Sequence, residues 1–328
     1  MFGTPIELSG PSRAPRNLLA EQTYGDHASI HDETTAQRLG VAGAAIEGPT
    51  HFSQFDPLLA ALWGRRWFEE GCLSAHFQAI CVEGEETRAL VTMDGPEPVR
   101  VHLRTEKPDA TVVLSGTATL GADAGPTALD ERLARARPPA GEPVIYAGWE
   151  PGRTGAAPEH VRMGFDTHMG DLYPFTLRRK LGSITEPSPW YESAETPWGR
   201  PVVPVEMVSV LAMATFGESG LRKAEPSVGL FLDLEIKMIA GPVFVDEPYV
   251  LERRVVALGE SRRTESAWIL TTVTAESTGA KVAEVLLHQG VFKQSYPHYP
   301  ADRLEGTVRE TENEPRLRPS TAPSRTND

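Results

Sequence analysis

Asp26 and His31 stand five positions apart in the stretch YGDHASIHDETTAQRLGVAGAAIEGPTHFS, residues 24–53. A carboxylate and an imidazole at that spacing can share one water or one substrate proton, which is acid–base chemistry on a carbonyl compound. A run of small residues (41–46) follows, then Glu47-Gly48-Pro49 and an apolar segment. The glycine opens a helix there, so backbone N–H groups face an oxygen that gains negative charge. His31 has the intrinsic pKa for proton shuttling, whereas Asp26 serves as a base only if burial retunes it. The same residues also make an ordinary loop in which Asp26 caps a helix and His31 is a satisfied surface residue. Spacing alone leaves both readings open.

The elements that must position these groups follow from periodicity. Residues 49–63 read as one helix, with Phe52, Phe55, Leu58, Leu59, Leu62 and Trp63 at helical spacing. Pro49 suits a first turn, where a missing N–H costs nothing, and Gly64 is a stop. So much apolar surface implies burial on more than one side, as when a sheet wraps the helix. Strands are predicted at 5–8, 74–82, 87–93, 99–104 and 111–119, separated by turn signals such as Glu83-Gly84 and Asp94-Gly95-Pro96. His76 and His102 fall within strands and read as ordinary sheet residues. One long helix followed by an antiparallel meander is α+β.

The second half repeats this order. EPSPWY at 186–191 occupies the frame of residues 26–31, with Glu186 for Asp26 and Tyr191 for His31. Val205 takes the place of Gly48, an apolar helix covers 205–216, and strands follow at 227–237, 249–259, 267–277 and 281–293. A tyrosine with its ordinary pKa of about 10 cannot replace histidine as a base at neutral pH, so this copy reads as catalytically silent. Asp166 and His168, with Asp171 nearby, form another carboxylate–imidazole set in GFDTHMGDLYPF and read as structural or pocket-lining groups. The small-residue- and proline-rich segment 121–143 marks a boundary. The chain therefore divides into a first domain (1–125), a linker (126–155), a second domain (156–297) and a polar, disordered tail (298–328).

Bulk properties exclude several classes. A chain of 328 residues, 40% hydrophobic and 23% charged, suits two globular domains. A net charge of −13 argues against nucleic acid or an anionic membrane as partner. A phosphate-bearing ligand would need a local basic patch, for which 178–180, 253–254 and 262–263 are candidates, although each also reads as a solvated face. Cys72 and Cys81 make no disulfide framework and no metal-ligand spacing, which suits a reduced, cytoplasmic setting. The N-terminal residues lack the pattern of a signal peptide, and no apolar run reaches the roughly 20 residues of a membrane helix.

Residues 24–53 resemble the hydratase motif of the MaoC-like (R)-specific enoyl-CoA hydratases and dehydratases, a hotdog-fold family. Its pattern is Asp-x-Asn-Pro-x-His, then Gly-Phe, then Ile-x-His-Gly opening the central helix. Asp26 and His31 stand at its Asp and His, Gly40-Val41 matches Gly-Phe, and Ile46-Glu47-Gly48 matches the helix opening. Ala28-Ser29 replaces Asn-Pro, and Glu47 replaces the histidine. The resemblance implies a double hotdog, each half a central helix wrapped by an antiparallel sheet, one half active and one degenerate. It implies an acyl thioester substrate, carried on CoA or a carrier protein, and no cofactor. Asp26 and His31 would hold one water, and the Gly48 N–H would receive the thioester oxygen. Ser53, one turn into the helix, either touches the same pocket or bonds its own backbone. Glu47 opposes negative charge at that oxygen unless it is protonated or turned outward. It is a surface residue, or an acid–base group for different chemistry. A thioesterase, isomerase or tailoring enzyme using Glu47 or the Asp166/His168 pair is the alternative on the same scaffold, and a non-catalytic acyl-binding partner is a third. A further homodimer is compatible with two hotdogs in one chain.

Overall fold

A computed structural model describes residues 5–20, 22, 29–95 and 98–305. Tyr24 and Asp26 lie outside the described residues. Ten strands form one sheet: β1 (Ile6–Ser9), β2 (Gly71–Phe77), β3 (Arg88–Met93), β4 (Arg100–Glu106), β5 (Val112–Leu120), β6 (Glu159–Arg162), β7 (Gly229–Met238), β8 (Pro248–Glu260), β9 (Thr264–Ala275) and β10 (Lys281–Phe292). Their order is β1-β3-β4-β5-β2-β7-β10-β9-β8-β6, antiparallel at every junction. Each half thus repeats one topology, with β6, β8, β9, β10 and β7 corresponding to β1, β3, β4, β5 and β2. The halves meet where β2 pairs with β7, in a register running from Cys72 opposite Lys237 to His76 opposite Asp233. This is the double hotdog that the resemblance implies.

The helices are α1 (Glu33–Arg38), α2 (Asp56–Trp63), α3 (Arg66–Glu70), α4 (Ala128–Leu133), α5 (Leu177–Leu181), α6 (Val205–Met213) and α7 (Ala301–Glu305). The expected helix over 49–63 is two pieces, a 3-10 run at Gly48–Phe55 and then α2. The reason is Pro57, which has no N–H for the fourth residue back and whose ring would crowd that carbonyl. An α-helix can begin at Asp56-Pro57 but cannot run through it. Gly64 ends α2 with φ of 60°, a conformation open to glycine. The 3-10 run packs on α6 inside the curve of the sheet, with Phe52, Phe55, Leu59, Val208 and Leu211 fully buried.

The segment 126–155, expected as a linker, is clamped to the sheet. A capping box at Thr127 starts α4, whose Leu129 is buried against Trp268 and Leu286. Tyr146 and Trp149 pack with Ala267 and Ile269. Neighbouring strand residues face opposite ways, so this segment covers both faces of β9. Packing also continues past residue 297. Tyr299 is buried and donates to Glu265 Oε1 at 3.0 Å, and α7 follows it, so the first residues expected in the tail are structured; 306–328 lie outside the described residues. No helix among the described residues is long and apolar enough to cross a membrane.

Candidate functional site

The loop before the 3-10 run is pinned by backbone bonds. Ala45 N–H donates to Ile30 O (2.9 Å) and Ile46 N–H to Cys81 O (2.8 Å), which fixes His31 and Glu47 on one wall. Asp32 caps α1 by accepting from Thr35 N–H at 2.8 Å. That wall bounds a cavity of about 740 Å³ between the halves. His31, Glu47, Gly48, His51, Phe77 and Cys81 line it from the first half, facing Leu172, Met213, Phe216, Arg222 and Phe231 from the second.

The half-buried His31 ring sets Nδ1 2.6 Å from the Ala45 carbonyl. A carbonyl only accepts, so Nδ1 carries the proton and Nε2 is left with the lone pair of a base. Glu47 is buried, and its Oε1 has no hydrogen-bond partner among the described residues. Burial pushes its carboxyl up to about 7, against the pull of the Lys180 ammonium and with the push of Glu206. His51 goes the other way: burial, helped by the Lys180 charge, lowers it to about 4, so its ring is neutral at physiological pH. Burial raises the Cys81 thiol to about 11, too high for a thiolate nucleophile at neutral pH.

Gly48 is held by sterics. A Cβ there would lie 2.7 Å from Phe77 Cε1, 2.9 Å from Cζ and 3.0 Å from Cδ1. Gly48 lines the cavity as the first helical residue, and its N–H has no intrahelical acceptor.

The other expected site residues lie elsewhere. Ser53 is fully buried behind the wall and does not line the cavity. Asp166 is exposed in a two-pronged ion pair with Arg178 (2.7 and 2.8 Å), and His168 is exposed with Nδ1 accepting from Gly170 N–H. Asp171 of that segment does reach the lining. His76 is no ordinary sheet residue: it reaches the buried Asp233 across the β2–β7 seam at 2.8 Å, and His288 of β10 holds the same carboxylate from the other side at 2.6 Å. Two members of the candidate basic patches are buried ion pairs, Lys180 with Glu206 and Arg253 with Glu159. Lys180, Glu206 and His51 went unnoticed as site residues. The lone charge of Glu206 within the apolar run VEMVSVLAM was the one legible signal.

The second motif is built on the same frame. Val202 N–H donates to Trp190 O (2.9 Å) and Val203 N–H to Val243 O (2.8 Å), matching the two bonds around His31 residue for residue. Tyr191, at the position of His31, instead donates its hydroxyl to buried Asp56 Oδ2 at 2.9 Å, and Asp56 also accepts from Trp67 Nε1. The rings of Phe68, Trp190 and Trp198 pack edge-to-face around it, with centroids 5.5–6.2 Å apart. Residues 239–248 lie at this second motif, and their first-half counterpart, 79–81, lines the cavity.

No protein-family profile and no curated protein matches the chain in sequence. Solved structures do match in fold. A MaoC domain protein dehydratase from Chloroflexus aurantiacus is 15% identical, with 89% of this chain and 95% of that one covered and a TM-score of 0.51. A conserved hypothetical protein from Mycobacterium tuberculosis with a double hotdog fold is 14% identical, at 88% and 96% coverage and a TM-score of 0.49. An acyl-CoA thioesterase II from Mycobacterium marinum is 16% identical, at 79% and 93% coverage and a TM-score of 0.41. The chain is a double hotdog whose structural neighbours include MaoC-like dehydratases.

Proposed function

We propose that the protein is a hydratase or dehydratase. It adds or removes water across the α,β-double bond of an acyl thioester on CoA or a carrier protein, or of a similar β-hydroxy carbonyl compound. The observation that carries the reading is His31, with its Nδ1–H committed to Ala45 O, on one cavity wall with the helix-opening Gly48. In the hydration direction Nε2 of His31 takes a proton from water as the oxygen attacks the β-carbon. The enolate charge that develops on the thioester oxygen is met by the Gly48 N–H. A proton is then returned to the α-carbon, and dehydration is the reverse. Asp26, outside the described residues, is the partner that would hold the same water. The two free, buried cysteines suit a cytoplasmic enzyme.

A second reading is favoured by Glu47. A carboxyl titrating near neutrality in a cavity wall suits proton transfer next to a carbonyl, as in an isomerase, or another thioester reaction on the same scaffold. One experiment separates the two. Short, long and branched 2-enoyl-CoAs are followed by loss of enoyl-thioester absorbance, with wild type beside Asp26→Asn, His31→Ala and Glu47→Gln. The hydratase reading requires turnover by wild type and a fall of about 100-fold or more in the first two variants. It fails if folded wild type consumes none of the panel. Turnover that survives His31→Ala but not Glu47→Gln moves the chemistry to Glu47.

A further inference from the structure

Two buried, oppositely charged side chains pair where the halves join, against the helical opening that carries Glu47. Lys180 of α5, 3% exposed, places Nζ 2.9 Å from Thr50 Oγ1 and 3.1 Å from Glu206 Oε2. Glu206 of α6 is 2% exposed. Thr50 belongs to the turn that begins at Glu47, since its N–H donates to the Glu47 carbonyl at 3.0 Å. The ammonium is therefore docked from the second half onto the helical opening that carries Glu47. Burial raises the Glu206 carboxyl as well, against the pull of the Lys180 ammonium, so the two carboxyls compete for one counter-charge. Ionising Glu47 adds a negative charge to a largely buried side chain, and a buried charge is tolerated only where it is paired.

We infer that Lys180, supplied by the half whose own motif is silent, is a positioning residue that sets the charge state of Glu47 in the cavity wall, with Glu206 acting against it. The inference rests on Glu47 exchanging protons at the proposed site. The second half is then more than a wall for the ligand, because its α5 and α6 determine when the Glu47 carboxyl can give or take a proton. The charged and titratable groups around Glu47 come from four elements. Lys180 and Glu206 come from α5 and α6, and His51 lies on its own helical run, held neutral. His31 shares the wall. Lys107, just after β4, also acts on His51, but both Glu85 oxygens hold it at 2.7 Å. Asp56, at the far end of the run, is committed to Trp67 and Tyr191. Among the described residues, Lys180 and Glu206 are the charges that act on Glu47, in opposite directions.

The test needs no substrate. Full-length protein labelled with 13C at the glutamate carboxyls is titrated by NMR, and Glu47→Gln identifies the Glu47 resonance. Lys180→Met raises the Glu47 midpoint by about one unit, a tenfold gain in proton affinity, and Glu206→Gln lowers it. Opposite displacements are the signature, since loosened packing alone would not move one carboxyl both ways. A midpoint that stays put in both variants, or moves the same way in both, overturns the inference. If Lys180→Met does not fold, Glu206→Gln decides alone: a lowered midpoint supports the inference and any other result overturns it. In an active enzyme the limb of the pH–rate profile governed by Glu47 moves with the midpoint. Failure of every enoyl thioester to turn over would sink the proposed reaction and leave the NMR result standing.

Discussion

Gly48→Ala is the sharpest probe of the site, because the glycine is required by one aromatic ring. The added Cβ would approach three Phe77 ring carbons at 2.7–3.0 Å. Ordinary carbon contacts are about 3.5–4.0 Å, so the ring must retreat by about 1 Å. Phe77 ends β2 and stacks on Phe52, with centroids 6.1 Å apart and planes 16° apart. Phe52 is fully buried, so the retreat on that side is resisted. Overpacking of this kind costs about 1–3 kcal/mol, offset by about 0.4–1 kcal/mol from the less flexible unfolded chain, for a net loss of about 0–2.5 kcal/mol. The catalytic effect is larger, since a displacement of about 1 Å at a site of attack costs about 100-fold in rate. Urea denaturation measures the first effect and turnover of the best 2-enoyl-CoA the second. Phe77→Leu in the Gly48→Ala background makes room for the methyl group and recovers part of both. Gly48→Ala with wild-type stability and wild-type turnover would refute the reasoning, because the ring would then not be what demands glycine.

Two further outcomes follow from the buried polar groups. Glu47 titrates near 7 in the folded chain instead of 4.5, so between those values the native state binds more protons than the unfolded state. Stability from this group is present below about pH 4.5 and lost as pH rises through about 7, a swing of about 3 kcal/mol. Asp56, raised from 3.8 to about 7 mainly by burial, adds a loss of the same sign. His51, lowered to about 4, opposes both by gaining stability as pH rises from about 4 to 6.5. Urea denaturation across this range should show Glu47→Gln gaining on wild type as pH rises; a difference that does not change with pH counts against the raised pKa. Tyr191→Phe removes the 2.9 Å bond to Asp56 and should cost about 1–3 kcal/mol while leaving turnover intact. Turnover that collapses in a folded Tyr191→Phe protein would show that the second motif is not silent.

Much of the architecture was legible because it depends on local rules. Alternating strands, the apolar helical stretch and the tandem repeat are periodic signals, and they located β2–β5 and β7–β10 along the chain; a simple meander would set β2 beside β3, whereas β2 pairs with β5 and β7 pairs with β10. What escaped was one local signal, Pro57, and features that one segment cannot declare alone. Pro57 divided the first helix although its neighbours kept helical periodicity. The linker disclosed little because Leu129 and Tyr146 gain their burial from strands more than a hundred residues away. Asp166 and His168 carried suitable chemistry at suitable spacing, yet their segment turns them to solvent.

The amino-acid sequence by itself determined the repeated α+β framework, the glycine at the helix opening, the histidine in its loop and the tyrosine at that position in the second copy. Only the tertiary structure decided that Glu47 faces a cavity rather than solvent, and that Lys180 leaves an Arg-Arg-Lys run to become a buried counter-charge. The physical reason is range. Periodicity, capping and turn chemistry act over a few residues and are written in order along the chain. The charge state of a carboxyl depends on desolvation and on charges within a few ångströms, and here those come from the other half of the molecule.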